Sequence, residues 1–471
     1  MLIKSLRLTN FRHFRHLDVG FHLQDDATSV APFGNLTVFV APNGAGKSSI
    51  LDGLCIALGG FIGKMPDSSR MPFRVSDLRL SQNDYHQNVV SPNVSVSIDA
   101  LLGVGDEPRM LYSDLSCEMR STSKGHGTSY GKSKGLREFA ERVLAVCEEE
   151  SATTTLPLVA YYGDSRLWGD NVLTKGYLKA MLTRGRKYAY VDSMNPKSGY
   201  KEFSRWYSHL YETLSQLHAQ QRENSVGYDA NLHELCETYV GVVNRAIEKA
   251  LEITGWNHVW YSVAERQIYV VRARREDDPC AERADCVPLS SLSAGIKAVL
   301  GVVADLAYRC CQLNPHLGVG AAKLTPGVVL IDEIELHLHP AWQQQILPIL
   351  QNLFCGVQFI VTTHSPQVVS SVPRECVRVI DGEVVSQIVT PTRGVDIDDI
   401  LRSVFGTDPL FPGMEMTEKL RRFIAMASDL SVPDEQWQSD LQSLRSYFGE
   451  TYGPLVGAVA HREYVLSLSG R

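Results

Sequence analysis

The stretch VAPNGAGKSS, Val40 to Ser49, decides how the rest of the chain is read. It misses by one residue the phosphate-loop pattern G-x-x-x-x-G-K-[ST], in which backbone N–H groups ring the phosphates, the Lys reaches the β- and γ-phosphates and the hydroxyl holds Mg²⁺. Ala41 takes the first position, and Asn43, Gly44, Ala45, Gly46, Lys47, Ser48 and Ser49 follow as the nucleotide-binding candidates. The two glycines that remain are those nearest the phosphates, and Ala is tolerable at the first position provided its φ stays negative. LTVFV (Leu36–Val40) reads as a buried strand and SSILDGLCIAL (Ser48–Leu58) as a helix, whose N-terminus then faces the phosphates. A chance Gly-rich turn is the competing reading of this motif taken alone.

Further signals follow in chain order. TPGVVLIDEIELHLHPAW contains a strand buried on both faces, Val328 to Ile331, with Asp332 at its carboxyl end, where open parallel sheets bind ligands. Asp332, with the Ser48 hydroxyl, would hold Mg²⁺, and Glu333 would be the base that orients and activates the attacking water. An apolar strand ending in two carboxylates is common, so its force comes from its neighbours. FIVTTHSPQVV is another buried strand that places His364 within reach of a γ-phosphate. PLSSLSAGIKAVLGVVADLA puts Ser293 and Gly295 at a helix N-terminus, a second anion site and one too many for a single nucleotide.

Composition bounds the alternatives. A chain of 471 residues, 44% hydrophobic and 21% charged, is long enough for two or three cores and reads as a soluble protein. MLIKSLRLTNFRHF is an exposed-strand pattern rather than an apolar leader, and no run reaches a membrane span, so a cytoplasmic location without membrane contact is expected. Ten Cys without a C-x-x-C pair read as reduced thiols, with Cys280 and Cys286 beside a polar loop as a minor metal option. The net charge of −7 excludes a uniformly basic DNA-coating protein.

The order APNGAGKS, LSAGIK, VVLIDE, TTHSP resembles the ATP-binding-cassette type of P-loop ATPase, as in the structural-maintenance-of-chromosomes (SMC), RecF and overcoming-lysogenization-defect (OLD) groups. That resemblance implies an α/β P-loop ATPase head with a helical insertion and a helical C-terminal tail. It also implies that ATP and Mg²⁺ are the cofactors and that Ser293 and Gly295 of one subunit cap the nucleotide of another. LPLVAYYGDSRLW, FSRWYSHL, IDEIELHLHPAWQ and THSPQVV are similar to the bacterial ATPases catalogued as predicted ATP-binding proteins involved in virulence, a group that includes the ATPase subunits of Septu anti-phage systems and of related retrons. By that resemblance Arg166 is a γ-phosphate or coupling residue. No glutamine stands out for the Q-loop role, and Gln82 and Gln87 are the candidates.

The expected organisation is an N-terminal lobe of the head over 1–155, a helical insertion or arm over 156–255, a C-terminal lobe over 256–393 and a helical region for oligomer or partner contact over 394–471. Phe203, Trp206, Tyr207, Leu210, Leu214 and Leu217 form one helical stripe, and Leu232, Leu235, Tyr239, Val242 and Ala246 another; in the tail Leu420, Phe423, Ile424 and Ala427 share a side. WNHVWYSVAERQIYVVRA reads as a hairpin. Two basic stretches could touch DNA: Arg120 to Gly135, and Lys175, Lys179, Arg184, Arg186 and Lys187 interleaved with Tyr177, Tyr188 and Tyr190. An ordinary exposed Lys-rich loop is the stronger reading of each, and the second could equally be an oligomer contact or an acidic partner's docking site. Asp396 and Asp398 read as helix N-terminal charges rather than nuclease ligands, and His337 and His339 as positioning residues rather than metal ligands. The expectation is therefore a homodimer or higher oligomer of ATPase heads controlling a separate HNH-type nuclease. A RecF-like repair ATPase and a nucleotide-sensing scaffold with negligible turnover are the alternatives.

Overall fold

Unbroken apolar runs, without the alternation of a half-exposed strand, need cover on both faces. Leu36–Val40, Leu158–Tyr162, Gly327–Ile331 and Val357–Thr363 are mostly apolar runs of this kind, buried at every residue, with Thr37, Gln358, Thr362 and Thr363 as their buried polar members. The computed structural model describes residues 1–24, 33–65, 71–82, 88–90, 93–102, 113–122, 125–129, 133–148, 153–164, 185–196, 200–224, 226–272, 286–410 and 413–468. It divides into two units, Met1–Ile400 and Leu401–Arg471.

In the first unit the four runs join a six-stranded sheet in the order Val384–Gln387, Val377–Asp381, Leu36–Val40, Val357–Thr363, Gly327–Ile331, Leu158–Tyr162. Every pairing is parallel except that of the two outermost strands at the Val384–Gln387 edge. Thr363 lies opposite Val40, and Ile331 lies opposite both Val361 and Tyr162. The register therefore brings the residues after Val40, Ile331 and Thr363 to one edge of the sheet. A second, antiparallel sheet of five strands has Leu2–Phe11 between Phe14–Gly20 and Asn93–Leu102, followed by Ser113–Thr122 and Gly125–Ser129. The helix Lys47–Ile62 touches strands of both sheets, which is why its sequence is apolar on nearly every side. The Gln358 side chain bonds both the N–H (2.7 Å) and the carbonyl (2.9 Å) of Ile3, fastening one sheet to the other.

The first residues of the expected insertion are an edge strand of the six-stranded sheet: Leu158–Tyr162 pairs with Gly327–Ile331. Beyond them, the helices Tyr200–Arg222 and Ala230–Leu251 pack on each other and on the helix Ala294–Leu313. Trp206, fully buried, has its ring centroid 4.8 Å from Tyr308 and 5.7 Å from Tyr239. The insertion is thus laid along the helix that carries Ser293 and Gly295. The stripe from Phe203 to Leu217 is buried throughout. The second stripe begins one residue later than its period predicts: His233 and Cys236 are buried, while Leu232 and Leu235 are only half-buried. Two helices cover this one, so its buried face widens to include Val243, Ile247, Ala250 and Leu251. The hairpin Trp256–Ser262/Gln267–Arg272 forms and is extended by Cys286–Pro288 into a three-stranded sheet.

The second unit packs Glu415–Met426, Asp434–Phe448 and Gly453–Leu468 around Leu420, Phe423, Ala427, Trp437, Leu441, Leu444, Leu455 and Ala458. Phe423 stacks on Trp437 with centroids 3.9 Å apart, and the Arg462 guanidinium lies 4.4 Å from the Trp437 centroid. Ile424 was expected on the same side but points outward, 38% exposed, because Phe423 takes the central place. In the first unit, Asp396 accepts from the Asp398 N–H at 2.9 Å beside the short helix Ile397–Ser403. Among the described residues no helix is long and apolar enough to cross a membrane.

Candidate nucleotide site

The loop after Val40 has the backbone that its sequence requires. Ala41 is buried and is absent from the residues with positive φ, whereas Gly44 has φ +81° and Gly46 φ +98°, a region that L side chains rarely enter. A Cβ on Gly46 would also come within 2.4 Å of His13 Cε1 and of Phe14 Cζ. The helix Lys47–Ile62 starts directly after Gly46, so its unpaired N–H groups face the loop. Asn43, Gly44 and Ser48 are exposed, and Ala45 is half-buried. Ser49 is turned away from the loop's open side, for it is buried and its Oγ accepts from Arg12 at 3.1 Å. Lys47 Nζ donates to the carbonyls of Ala41 (2.9 Å) and Pro42 (3.2 Å). Burial pushes the Lys47 ammonium below its ordinary pKa, and the Asp332, Glu333 and Glu335 carboxylates oppose that shift.

Across from the loop one hydroxyl organises the acidic pair. Thr362 Oγ1 donates to Asp332 Oδ1 at 2.5 Å and accepts the Glu333 N–H at 2.8 Å, while the Thr362 carbonyl accepts from the Ile334 N–H at 3.1 Å. Glu333 sits at φ +46°, a strained conformation for a residue with a side chain, and this clamp holds it there. The Asp332 N–H donates to the Tyr162 carbonyl at 2.8 Å. Glu335, two residues on, accepts from Thr363 Oγ1 at 2.7 Å and from the N–H of His364, fastening one side of the segment that carries His364, while Ser365 Oγ donates to Gln343 at 2.6 Å on the other.

Ser293 caps the helix Ala294–Leu313, its Oγ accepting from the Ile296 N–H at 3.5 Å, and is exposed. A Cβ on Gly295 would come within 2.6 Å of the His337 carbonyl, whose residue has φ +65°. Gly295 therefore lets the helix start approach the turn after Glu335 within the same chain. His339 Nδ1 accepts from the Ala341 N–H at 3.3 Å.

Several residues of this site went unnoticed in the sequence. Arg12 donates to Asp52 (2.7 Å), Asp77 (3.0 Å) and Ser49, and Tyr161 donates to Asp52 at 3.2 Å. Burial raises the Asp52 pKa while Arg12 pulls it down. Glu335 had a visible signal, a third carboxylate in DEIE, but Thr362 had none. Arg166 and Gln87 lie outside the described residues. Of the second basic stretch, Lys175, Tyr177, Lys179 and Arg184 also lie outside them. Arg186 is buried and donates to the carbonyls of Leu313 and Thr154 and to Asn314, while Tyr188 and Tyr190 are buried as well. These three do not form a base-stacking surface. Cys286 accepts from Trp260 Nε1 at 3.1 Å, and Cys280 is outside the described residues.

Glu335→Gln keeps the shape but offers one acceptor oxygen where two donors need it. It is expected to lower kcat for ATP about 10- to 100-fold through a misplaced His364, with nucleotide affinity nearly unchanged. Equal losses in affinity and turnover would show instead that Glu335 supports the whole loop.

A parallel sheet with a glycine loop leading into a buried helix, and an acidic pair after the next strand but one, define an α/β P-loop ATPase head with a helical C-terminal region. The family model AAA_23, an AAA domain, matches residues 5–238, and AAA_21, whose description names an AAA domain and the AbiEii toxin of a type IV TA system, matches residues 281–370. The chain carries these P-loop ATPase domains. It is 25% identical to the Retron Ec83 probable ATPase of Escherichia coli across 96% of this chain and 84% of that one. It is 32% identical to the Septu protein PtuA of Bacillus mycoides (strain KBAB4) over 33% of this chain and 22% of that protein. Among solved structures, the SMC head bound to the C-winged helix domain of ScpA aligns with TM-score 0.45 and 16% identity over 83% of this chain and 98% of that one.

Proposed function

We propose that this chain is the ATP-binding and ATP-hydrolysing subunit of an anti-phage defence complex of the Septu and retron kind, whose heads pair on ATP and control a separate HNH-type nuclease acting on DNA. The observation that carries the reading is the meeting of Lys47, Asp332, Glu333 and the Glu335-held His364 segment around one sheet edge, in a chain similar over nearly its whole length to a retron ATPase.

The donor set fits the nucleotide and its metal. An exposed Ser48 hydroxyl and the Asp332 carboxylate are hard oxygen donors of the kind Mg²⁺ takes. Bound there, Mg²⁺ would supply charge neutralisation of the phosphate oxygens. Lys47 and the N–H groups from Asn43 to Ser48 hold the phosphates. Glu333 accepts a proton from the attacking water, and His364 senses the γ-phosphate. Ser293, exposed at its helix start, and Gly295 offer the surface that caps a nucleotide held by a second copy. Arg166 is the proposed coupling residue. The head lobes over 1–155 and 256–393 bind nucleotide, and the region over 394–471 serves oligomer or partner contact.

The reading is tested by affinity purification of the tagged chain from its native host, with and without ATP, followed by mass spectrometry and light scattering. A stoichiometric small protein with HNH motifs, gained or lost with ATP, is expected. Recovery of the ATPase alone, or with recombination proteins, would overturn the defence assignment in favour of a RecF-like repair role.

A further inference from the structure

Near the turn joining the helices Tyr200–Arg222 and Ala230–Leu251, far in sequence from every nucleotide motif, His218 of the first helix meets His233 and Glu237 of the second. Their three ligand atoms lie within 4.8 Å of one another. We propose that they bind a divalent transition-metal ion, with Zn²⁺ the best match, which staples the two helices together and leaves a fourth position to water.

Three observations converge. His233 is 7% exposed, yet its Nε2 is buried and makes no hydrogen bond, an arrangement that costs free energy unless something else takes the lone pair. Its other ring nitrogen, Nδ1, lies 2.8 Å from the Tyr228 hydroxyl. When Nδ1–H donates to that oxygen, Nε2 carries the lone pair and the ring is oriented as a metal-bound histidine is by its outer partner. Finally, Glu237 Oε1 lies 3.5 Å from His233 Nε2 and 3.8 Å from His218 Nε2. Ligands about 2.0–2.1 Å from a tetrahedral Zn²⁺ stand roughly 3.4 Å apart, so small side-chain movements close the site. Two imidazoles and one carboxylate suit zinc better than Mg²⁺ or Ca²⁺, which take oxygen.

His233 and Glu237 are one helical turn apart and His218 comes from the facing helix, so the ion would tie the pair at the end where they join. The same pair buries Trp206 and Tyr239 against Tyr308. Metal occupancy would therefore stiffen the layer that supports the Ser293 helix.

The test uses the full chain stripped of metal, titrated with Zn²⁺ alone by calorimetry and with Co²⁺ by absorption. His218 and Glu237 are exposed, so His218→Ala and Glu237→Gln are expected to fold. Wild type should bind one Zn²⁺ equivalent that His218→Ala loses or binds more than about tenfold more weakly, and Zn²⁺ should raise the Tm of wild type only. Co²⁺ at this site should give tetrahedral d–d bands without the thiolate charge-transfer band that cysteine ligation would add. Identical stoichiometry, affinity and thermal shift in wild type, His218→Ala and Glu237→Gln would overturn the proposal. So would a thiolate spectrum for the tightest equivalent.

Discussion

Glu333→Gln is expected to lower kcat for ATP hydrolysis by about 10³-fold, within the 10²–10⁴ that a positioned general base supplies, and to leave nucleotide binding intact. The amide has the shape of the carboxylate but cannot take a proton from water. Its backbone should not move, because the Glu333 N–H is held by Thr362 Oγ1 at 2.8 Å and that hydroxyl is itself fixed on Asp332. Turnover and binding of a non-hydrolysable analogue, measured side by side, separate the two effects. Light scattering should then find ATP-bound dimers accumulating in the variant. Lys47→Ala is the contrasting control and should lose binding itself, since the ammonium lies among the three carboxylates and the loop carbonyls. Normal hydrolysis by Glu333→Gln would remove Glu333 from the role of base.

The difference between those two variants mirrors what could be read from the chain. Lys47, Asp332 and His364 were legible because each follows a mostly apolar, β-branched strand, and a buried parallel strand presents the residues beyond its carboxyl end to a ligand. Glycines 44 and 46 were legible because a positive φ leaves little other choice. The residues that hold those groups in place were not. Thr362 is one more β-branched residue in FIVTT, and only the pairing of Val357–Thr363 with Gly327–Ile331 shows that its hydroxyl reaches Asp332 and Glu333. Arg12 reaches Asp52 and Asp77 across the fold, which no local pattern encodes.

Where the reading failed, tertiary cover overrode a local signal. LVAYY was grouped with the insertion that follows it, yet its five buried residues complete the parallel sheet. Arg186, Tyr188 and Tyr190 looked like a solvent-facing stack because charge next to aromatics suggests a surface, but burial depends on what lies opposite. Here the chain around Leu313 and Asn314 supplies the acceptors that allow a buried guanidinium. The helical stripes were close to right since period survives packing. Their edges were misplaced where a second neighbour widened the buried face.

The second large effect expected is on stability. Asp305→Ala should destabilise the first unit by about 3–5 kcal/mol, the usual result of leaving one member of a buried ion pair uncompensated. Asp305 and Arg309 stand one turn apart on the helix Ala294–Leu313, both with no exposure. Asp305 Oδ2 accepts from Arg309 Nε at 2.7 Å and from the Tyr162 hydroxyl at 2.6 Å, and Arg309 also donates to the carbonyls of Ala189 and Val191. Removing the carboxylate strands a charged guanidinium and a phenol in the interior, where water cannot replace the lost acceptor. Urea unfolding should show a lower midpoint with an unchanged slope. The double variant Asp305→Leu/Arg309→Met should recover much of the loss, because it removes the charge together with its partner. A change below about 1 kcal/mol for Asp305→Ala would mean that water reaches the pair. Tyr162 ends the strand whose carbonyl accepts the Asp332 N–H. The same substitution therefore loosens the junction between the Ser293 helix and the acidic pair, and a fall in turnover below the unfolding midpoint should accompany the loss of stability.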